Sequence, residues 1–330
     1  MATMTHDTTA RGRLRSGLIL AVLSASSFGL SGSLARGLMN AGWSAASVVA
    51  IRVLLAAAVL VPIAVRQLRG DWNLLRRNAS LITAYGLIAV AGTQLAYFNA
   101  VAHMAVGVAL LIEYTAPIAV VGWLWLRYRE RPGVATVLGA VLGLAGLVLV
   151  IDLRSGLTAS WVGLVWALAA MIGAAGYFVL SAHGDGTLPG TVLAAGGLLV
   201  GGLALLAAGA VGIVPLHATT NTVVFEHFSV PWWPPVLALG IVTAAIAYVS
   251  GIAATRLLGS RLASFVALFE VLAALAFAWA LLGEAPRVIQ LLGGAFILAG
   301  VVVVRRGEFD PSAEAAVAEP AAVAESGTER

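Results

Sequence analysis

Along this chain, runs of about 20 uninterrupted apolar residues alternate with short polar connections in which arginine is the dominant charge. Ten such runs are legible, at roughly 16–37, 44–65, 79–101, 105–126, 134–152, 161–182, 190–212, 235–256, 261–282 and 287–304. Each is long enough, at about 1.5 Å rise per residue, for a helix to cross a bilayer. The runs are continuously apolar and rich in Ala, Leu and Gly, without the period-two alternation of a barrel strand, so the pattern predicts helices. The expected fold is an all-α membrane protein of ten transmembrane helices.

The pattern also repeats itself. Sliding YRERPGVATVLGAVLGLAGLVLV (128–150) by 154 residues places it on LGEAPRVIQLLGGAFILAGVVVV (282–304). Glu130 then meets Glu284, Pro132 meets Pro286, and Leu138-Gly139 meets Leu292-Gly293. Ten of the 21 positions from Glu130 to Val150 are identical, where composition alone gives roughly two. LAYFNA (95–100) likewise resembles IAYVSG (246–251) at a shift of 151, with the three-residue difference falling in the following turn. The repeated unit is five runs long, residues 16–153 and 161–304. Five is odd, so the second copy is expected to enter the membrane upside down. Two inverted five-helix repeats are the usual architecture of alternating-access carriers, with the binding site between the halves; a duplication that only enlarges a bundle is the plainer alternative.

Composition narrows the class further. The 330 residues are 61% hydrophobic and 10% charged, with a mean hydropathy of +0.99, outside the range of soluble domains. The 37 glycines would weaken soluble helices, but in lipid they let helices approach closely, a use that Gly139, Gly143 and Gly293 fit. There is no cysteine, which excludes thiolate metal sites, thiol catalysis and disulfides. There is no lysine either; all 19 basic residues are arginine. A phosphate-binding Walker loop and a Schiff base both need a lysine, so the chain carries no ATP-binding motif and no retinal or pyridoxal chemistry.

Arginine placement predicts the orientation. With the N-terminus inside, Arg11, Arg13, Arg15, Arg66, Arg69, Arg76, Arg77, Arg127, Arg129, Arg131, Arg256, Arg261, Arg305 and Arg306 are cytoplasmic, against Arg36, Arg154 and Arg287 outside. The formal charge of +4 is thus a topology signal and not a nucleic-acid one. Both termini are expected in the cytoplasm of a multi-pass plasma-membrane protein, with residues 1–15 as a short tail and no cleaved signal. The Ala/Glu/Pro-rich stretch 307–330 is expected to be a disordered acidic tail. The long outer connection from Ile213 to Pro235 contains PWWPP, which places Trp232 and Trp233 in an interfacial belt.

Several motifs resemble the ten-span carriers of the drug/metabolite transporter superfamily, EamA type. The ending LGExxxxxxLLGGxxILAGVxxV closes the second half, and RERP stands for its LGE-x-P in the first. Phe28-Gly29 in the first run, Arg52 entering the second, and FEVLAALAFAWALLGE in the ninth also agree, with Val271 where the family often has proline. GVALLIEYTAPIAVVG (107–122) is similar to a pattern of the threonine/homoserine exporter branch. The resemblance covers about 15–306. It implies export of small metabolites, amino acids among them, without ATP.

Ionisable groups inside spans are the sharpest candidates for function, because each costs at least about 2.5 kcal/mol at the bilayer centre. Three stand out: Arg52, Glu113 and Glu270. At the 154 shift Glu270 falls opposite Ala116, three residues beyond Glu113 and on the same helix face. Either carboxylate could bind a substrate ammonium or carry a coupling proton; the structural alternative is a buried ion pair such as Arg52 with Glu113. Tyr97 and Asn99 correspond to Tyr248 and Ser250 at the 151 shift, and Gln94 shares a face with Tyr97. Such polar and aromatic groups can line a substrate cavity or act as interhelical glue. Tyr177 is a weaker candidate of the same kind, and His103 reads as a solvated turn residue.

Enzyme readings fare worse. GLSG (29–32) matches the serine motif of intramembrane proteases, but none of the histidines at 6, 103, 183, 217 and 227 falls mid-span to act as base. His183 and Asp185 lie on a short turn. The sequence therefore predicts a secondary-active exporter of small polar metabolites, amino acids or their relatives, working by alternating access without a cofactor. Export of hydrophobic drugs or lipids, import of the same metabolites and, more distantly, a membrane-embedded enzyme are the alternatives. The expected partners are a small-molecule substrate, the lipid bilayer and protons, with a homodimer compatible and no nucleic acid.

Overall fold

The computed structural model describes residues 2–116, 119, 133–151, 160–182, 188–251, 253–254, 257–258 and 269–307. Expectations for Glu130, Pro132, His183, Asp185, Arg127, Arg129, Arg131, Arg154, Arg256, Arg261 and the tail from 308 fall outside the described residues. In chain order the helices are α1 (Ala2–Asn40), α2 (Ala45–Leu68), the short α3 (Asn73–Arg77) and α4 (Ala79–His103). They continue as α5 (Val106–Glu113), α6 (Val134–Ile151), α7 (Trp161–Ala182) and α8 (Gly190–Ala210). The last three are α9 (Trp233–Gly251), α10 (Phe269–Leu282) and α11 (Val288–Gly307). A two-residue hairpin, β1 (Val223–Val224) with β2 (Ser229–Val230), interrupts the connection from α8 to α9.

Among the described residues 5 helices are long and apolar enough to cross a membrane: Leu14–Asn40 of α1, then α2, α4, α8 and α9. Shorter apolar helices run over Val137–Leu149, Trp161–Tyr177, Phe269–Leu282 and Val288–Gly300. The first helix also reaches back to Ala2, beyond the apolar run expected to begin at 16. No proline interrupts that stretch, and adding residues to an already nucleated span costs little.

α2 shows how these helices are specified. Ser44 caps it, accepting from the Ser47 N–H at 3.2 Å, and Arg69 and Gly70 end it at φ 49° and 90°. Val49, Arg52, Val53, Ala56 and Leu60 are buried on one face, while Ala58, Pro62 and Val65 on the opposite face are exposed, as expected of a lipid-facing side. Packing and close approach, more than water exclusion, hold such helices together.

The described halves interlock reciprocally. α1 packs on α9 and α10, and α7 packs on α4 and α5 in the same way; α2 pairs with α9 as α8 pairs with α4. α6 and α11, which close the two repeats, pack along their length. There a Cβ added at Gly146 would come 2.5 Å from the Gly293 carbonyl oxygen, and one added at Gly300 would come 2.5 Å from that of Gly139. Gly146 and Gly300 are 154 residues apart, as are Gly139 and Gly293. A contact in which i meets j′ and i′ meets j is the signature of a two-fold relation. Both third-position helices also widen into i→i+5 turns, over Tyr85–Gly92 in α4 and Ala238–Ile246 in α9.

One end of the bundle is strapped shut by the α8–α9 connection. The Ser44 N–H donates to the His217 carbonyl at 2.9 Å, and Trp43 Nε1 donates to the Thr219 carbonyl at 2.9 Å. Thr219 Oγ1 and Asn221 Nδ2 donate to the Ala41 carbonyl at 2.8 and 3.0 Å. The Glu226 N–H then reaches the Leu281 carbonyl at 2.8 Å, tying the strap to the end of α10. Trp233 is exposed, whereas Trp232 is half-buried with its ring 6.1 Å from that of Trp43. At the same end Glu284 Oε2 accepts from the Val106 N–H at 2.9 Å, capping α5, which lacks a side-chain cap of its own. Arg36 donates to the Val101 carbonyl and, at 3.1 Å, to that of Met104, satisfying the end of α4.

Candidate functional site

The interleaving of the halves brings several of the candidate polar residues together at their junction. Arg52 is buried on α2, where its guanidinium spans three helices. Nη1 donates to Gln94 Oε1 on α4, and Nη2 donates to the Thr243 carbonyl on α9 at 3.0 Å. The acceptor lies in the widened stretch of α9. The guanidinium carbon also sits 5.5 Å from the Phe98 ring centroid, within cation–π range. Its Nε has no hydrogen-bond partner among the described residues.

Opposite these helices stand the two acids. Glu270 lies in the first described turn of α10, and its Oε2 accepts from the Tyr114 hydroxyl at 3.0 Å. Glu113 is the last residue of α5. Glu113, Glu270, Tyr97 and Tyr248 all lie within electrostatic range of Arg52, and Glu113 within that of Glu270. Among the described residues the ion pair of Arg52 with Glu113, the structural alternative, is not formed. Neutral acceptors hold the guanidinium instead, leaving both acids near it but outside hydrogen-bond contact.

The same-face argument from Glu113 to position 116 assumes an unbroken helix. The described helix stops at Glu113, and Tyr114 and Thr115 form a turn in which Thr115 Oγ1 donates back to the Ile112 carbonyl at 2.6 Å. Tyr114, the neighbour of Glu113, therefore meets Glu270. The tyrosine stands within the quoted exporter-like pattern, but only the turn selects it.

Tyr97 and Tyr248 both join the cluster, each against α1. A Cβ on Gly32 would fall 2.7 Å from the Tyr97 hydroxyl. Phe28 meets Tyr248 edge-on, with centroids 5.2 Å apart and planes at 83°. Gly29 admits the Glu270 backbone, since a Cβ there would lie 2.8 Å from the Glu270 carbonyl oxygen. GLSG is thus a packing surface for the residues around the acids. Tyr177 contacts Tyr85 with centroids 5.7 Å apart and a side-chain hydrogen bond, and it is an electrostatic neighbour of Tyr248. Neither Tyr85 nor Phe98 carries a charge, and Phe98, inside the LAYFNA echo, faces an unlike residue, Val249, at the 151 shift.

Asn99 and Ser250 behave differently. Asn99 Nδ2 donates to the Leu95 carbonyl at 2.7 Å, and Ser250 Oγ donates to the Ile246 carbonyl at 2.6 Å. Both are i→i−4 bonds within their own helices, at matching repeat positions. They are symmetric, as the 151 shift expects, but their described bonds turn them to backbone. His103 is exposed, its Nδ1 2.8 Å from the Asn99 carbonyl. No group of three metal-ligating side chains occurs among the described residues.

Two internally repeated matches to the EamA-like transporter family cover residues 15–152 and 161–306. The chain belongs to that family. It is also 28% identical over 279 residues to a protein of Archaeoglobus fulgidus described as an uncharacterized transporter, covering 84% of this chain and 93% of the relative. A protein of known crystal structure superposes with a TM-score of 0.57 at 23% identity, over 86% of this chain and 95% of its own, and shares the fold. This EamA-like chain is therefore a membrane transporter, and its family points away from an enzyme.

Proposed function

We propose that the chain is a secondary-active exporter of small polar metabolites, amino acids or closely related compounds, working by alternating access. In this reading ten spans form two inverted five-helix repeats, 16–153 and 161–304, in the plasma membrane with both termini cytoplasmic. The observation that carries it is the charge constellation at the junction of the halves: Arg52 with Glu113 and Glu270 inside one electrostatic neighbourhood, walled by Tyr97, Tyr114 and Tyr248. A guanidinium and a Glu270 carboxyl that each bond to neutral partners suit a zwitterion, whose ammonium can meet a carboxylate and whose carboxylate can meet the guanidinium. A hydrophobic solute would leave those groups unsatisfied. The reciprocal glycine contacts of α6 and α11 support a two-fold relation of the kind alternating access uses.

The energy source in this reading is proton antiport or the solute gradient itself, with Glu270 or Glu113 as the proton carrier. The test is flux of an amino-acid panel in proteoliposomes, with and without an imposed pH gradient. Saturable amino-acid efflux is expected, and Glu270→Gln is expected to abolish flux or its dependence on pH while leaving the purified protein monodisperse. Equal flux in the variant at every pH would remove Glu270 from the mechanism; flux of hydrophobic amines alone would replace the substrate class.

A further inference from the structure

The three charges at the junction of the halves are not equally occupied. The Glu270 carboxylate accepts from the Tyr114 hydroxyl at 3.0 Å. The Glu113 carboxylate, on a half-buried residue, accepts no hydrogen bond among the described residues. Glu113 is also the last residue of α5, at the negative end of that helix's dipole. A carboxylate without a donor is poorly placed there by itself and well placed beside a cation.

Arg52 shows the converse, a donor without an acceptor. Its side chain is 3% exposed. Nη1 and Nη2 donate to Gln94 Oε1 and to the Thr243 carbonyl, which fixes the guanidinium plane across α2, α4 and α9. The buried Nε has no acceptor among the described residues. Nε–H and the second N–H of a neighbouring Nη make the side-on edge of an arginine, the geometry that takes a carboxylate through two parallel bonds. Leaving that edge unmade in a buried place is costly, and so is leaving Glu113 bare. A small molecule with one cation and one carboxylate satisfies both.

We propose that Glu113, and not Glu270, receives the substrate's ammonium, and that the Nε edge of Arg52 receives its carboxylate. The assignment rests on the zwitterion reading of the site and adds which of the two acids is the ligand. Glu270 is then a positioning residue. Its bond to Tyr114 holds the residue that follows Glu113, and Thr115 Oγ1 closes the same turn on the Ile112 carbonyl at 2.6 Å. Gly107 lets α5 lie close on α10, since a Cβ there would overlap the Leu275 side chain. Glu270 on α10 thereby fixes the end of α5 that carries Glu113.

Three probes separate the two charges. L-Alanine carries both and only a methyl group besides; ethylamine is alanine without its carboxylate, and propionate is alanine without its ammonium. Ligand-observed NMR on the full-length protein in perdeuterated detergent reads the binding of each. Glu113→Gln is expected to lower alanine affinity by about 30-fold and to lose ethylamine, while propionate still binds. Glu270→Gln keeps an acceptor for Tyr114 and is expected to keep ethylamine bound, whereas Glu270→Leu, which has none, weakens alanine and ethylamine but not propionate. Arg52→Lys keeps the charge without the Nε edge and is expected to weaken propionate by about 10-fold and spare ethylamine. Loss of ethylamine in Glu270→Gln with retention in Glu113→Gln would overturn the assignment and leave the zwitterion reading standing. An equal loss of alanine in both variants would do the same, and loss of propionate in Glu113→Gln would make Glu113 a structural residue. A wild type that binds no alanine would remove the zwitterion reading itself and the assignment with it.

Discussion

Glu284 shows what a single residue does here. It stands outside the membrane-spanning segments, between α10 and α11, and supplies from the second repeat the cap that α5 of the first repeat lacks. Burial holds its carboxyl above the usual carboxylate range, against the smaller opposing effects of the Val106 N–H and the nearby Arg36. A group whose folded pKa is raised binds protons more readily folded than unfolded. Its contribution to stability is thus complete below the ordinary carboxylate value and is lost as pH rises through the raised one. Glu284→Ala, which removes the acceptor, is expected to cost about 1 kcal/mol. Glu284→Gln keeps an acceptor and removes the ionisation, so it is expected to stay near wild type and to flatten that part of the pH profile. Thermal unfolding in detergent across pH 4–8, roughly the span from ordinary to raised carboxylates, checks both; a Gln variant as pH-sensitive as wild type would remove Glu284 as the titrating group.

At the scale of elements, helix pairs are set by where a side chain is absent. The α6–α11 contact depends on Gly146 and Gly300, each of which presses on a carbonyl of the other helix. An added methyl 2.5 Å from a backbone oxygen cannot be absorbed by a rotamer, so the helices must separate. Gly146→Ala and Gly300→Ala are each expected to destabilise by about 1–3 kcal/mol. Because the contact is reciprocal, the two losses should be similar. Gly190→Ala, with no atom within 4 Å of the added carbon, is the control and should stay within about 0.5 kcal/mol. A neutral Gly300→Ala in detergent-phase melting would mean that the contact does not hold the halves together. The repeat at 154 residues was legible in the sequence because identity at a fixed shift needs no structure. The pairing of one glycine with a carbonyl of the other copy was not, since it depends on which helices meet.

For the whole molecule the decisive quantity is orientation. Glu130 and Glu284 are equivalent positions of the two repeats, and inverted copies place them on opposite faces of the membrane. The chain has no cysteine, so Glu130→Cys and Glu284→Cys can each be labelled alone by an impermeant maleimide in intact cells and in inverted vesicles. Labelling from opposite sides is the expected outcome. Labelling of both from one side would make the repeats parallel and take away the alternating-access reading.

Sequence alone determined the solvent and the parts list: a membrane chain, helical, built from a five-run unit used twice, with three charges placed where lipid makes them costly. Those properties are local or periodic, so composition and spacing carry them. Tertiary structure decided who meets whom. It gave Arg52 to Gln94 and Thr243 and not to an acid, and it put Tyr114 on Glu270 because the described helix turns after Glu113. It bent Asn99 and Ser250 onto their own backbones and folded the α8–α9 connection into a strap. A buried polar group takes the nearest partner with good geometry, and nearness across 42, 156 or 191 residues of chain is fixed only when helices pack.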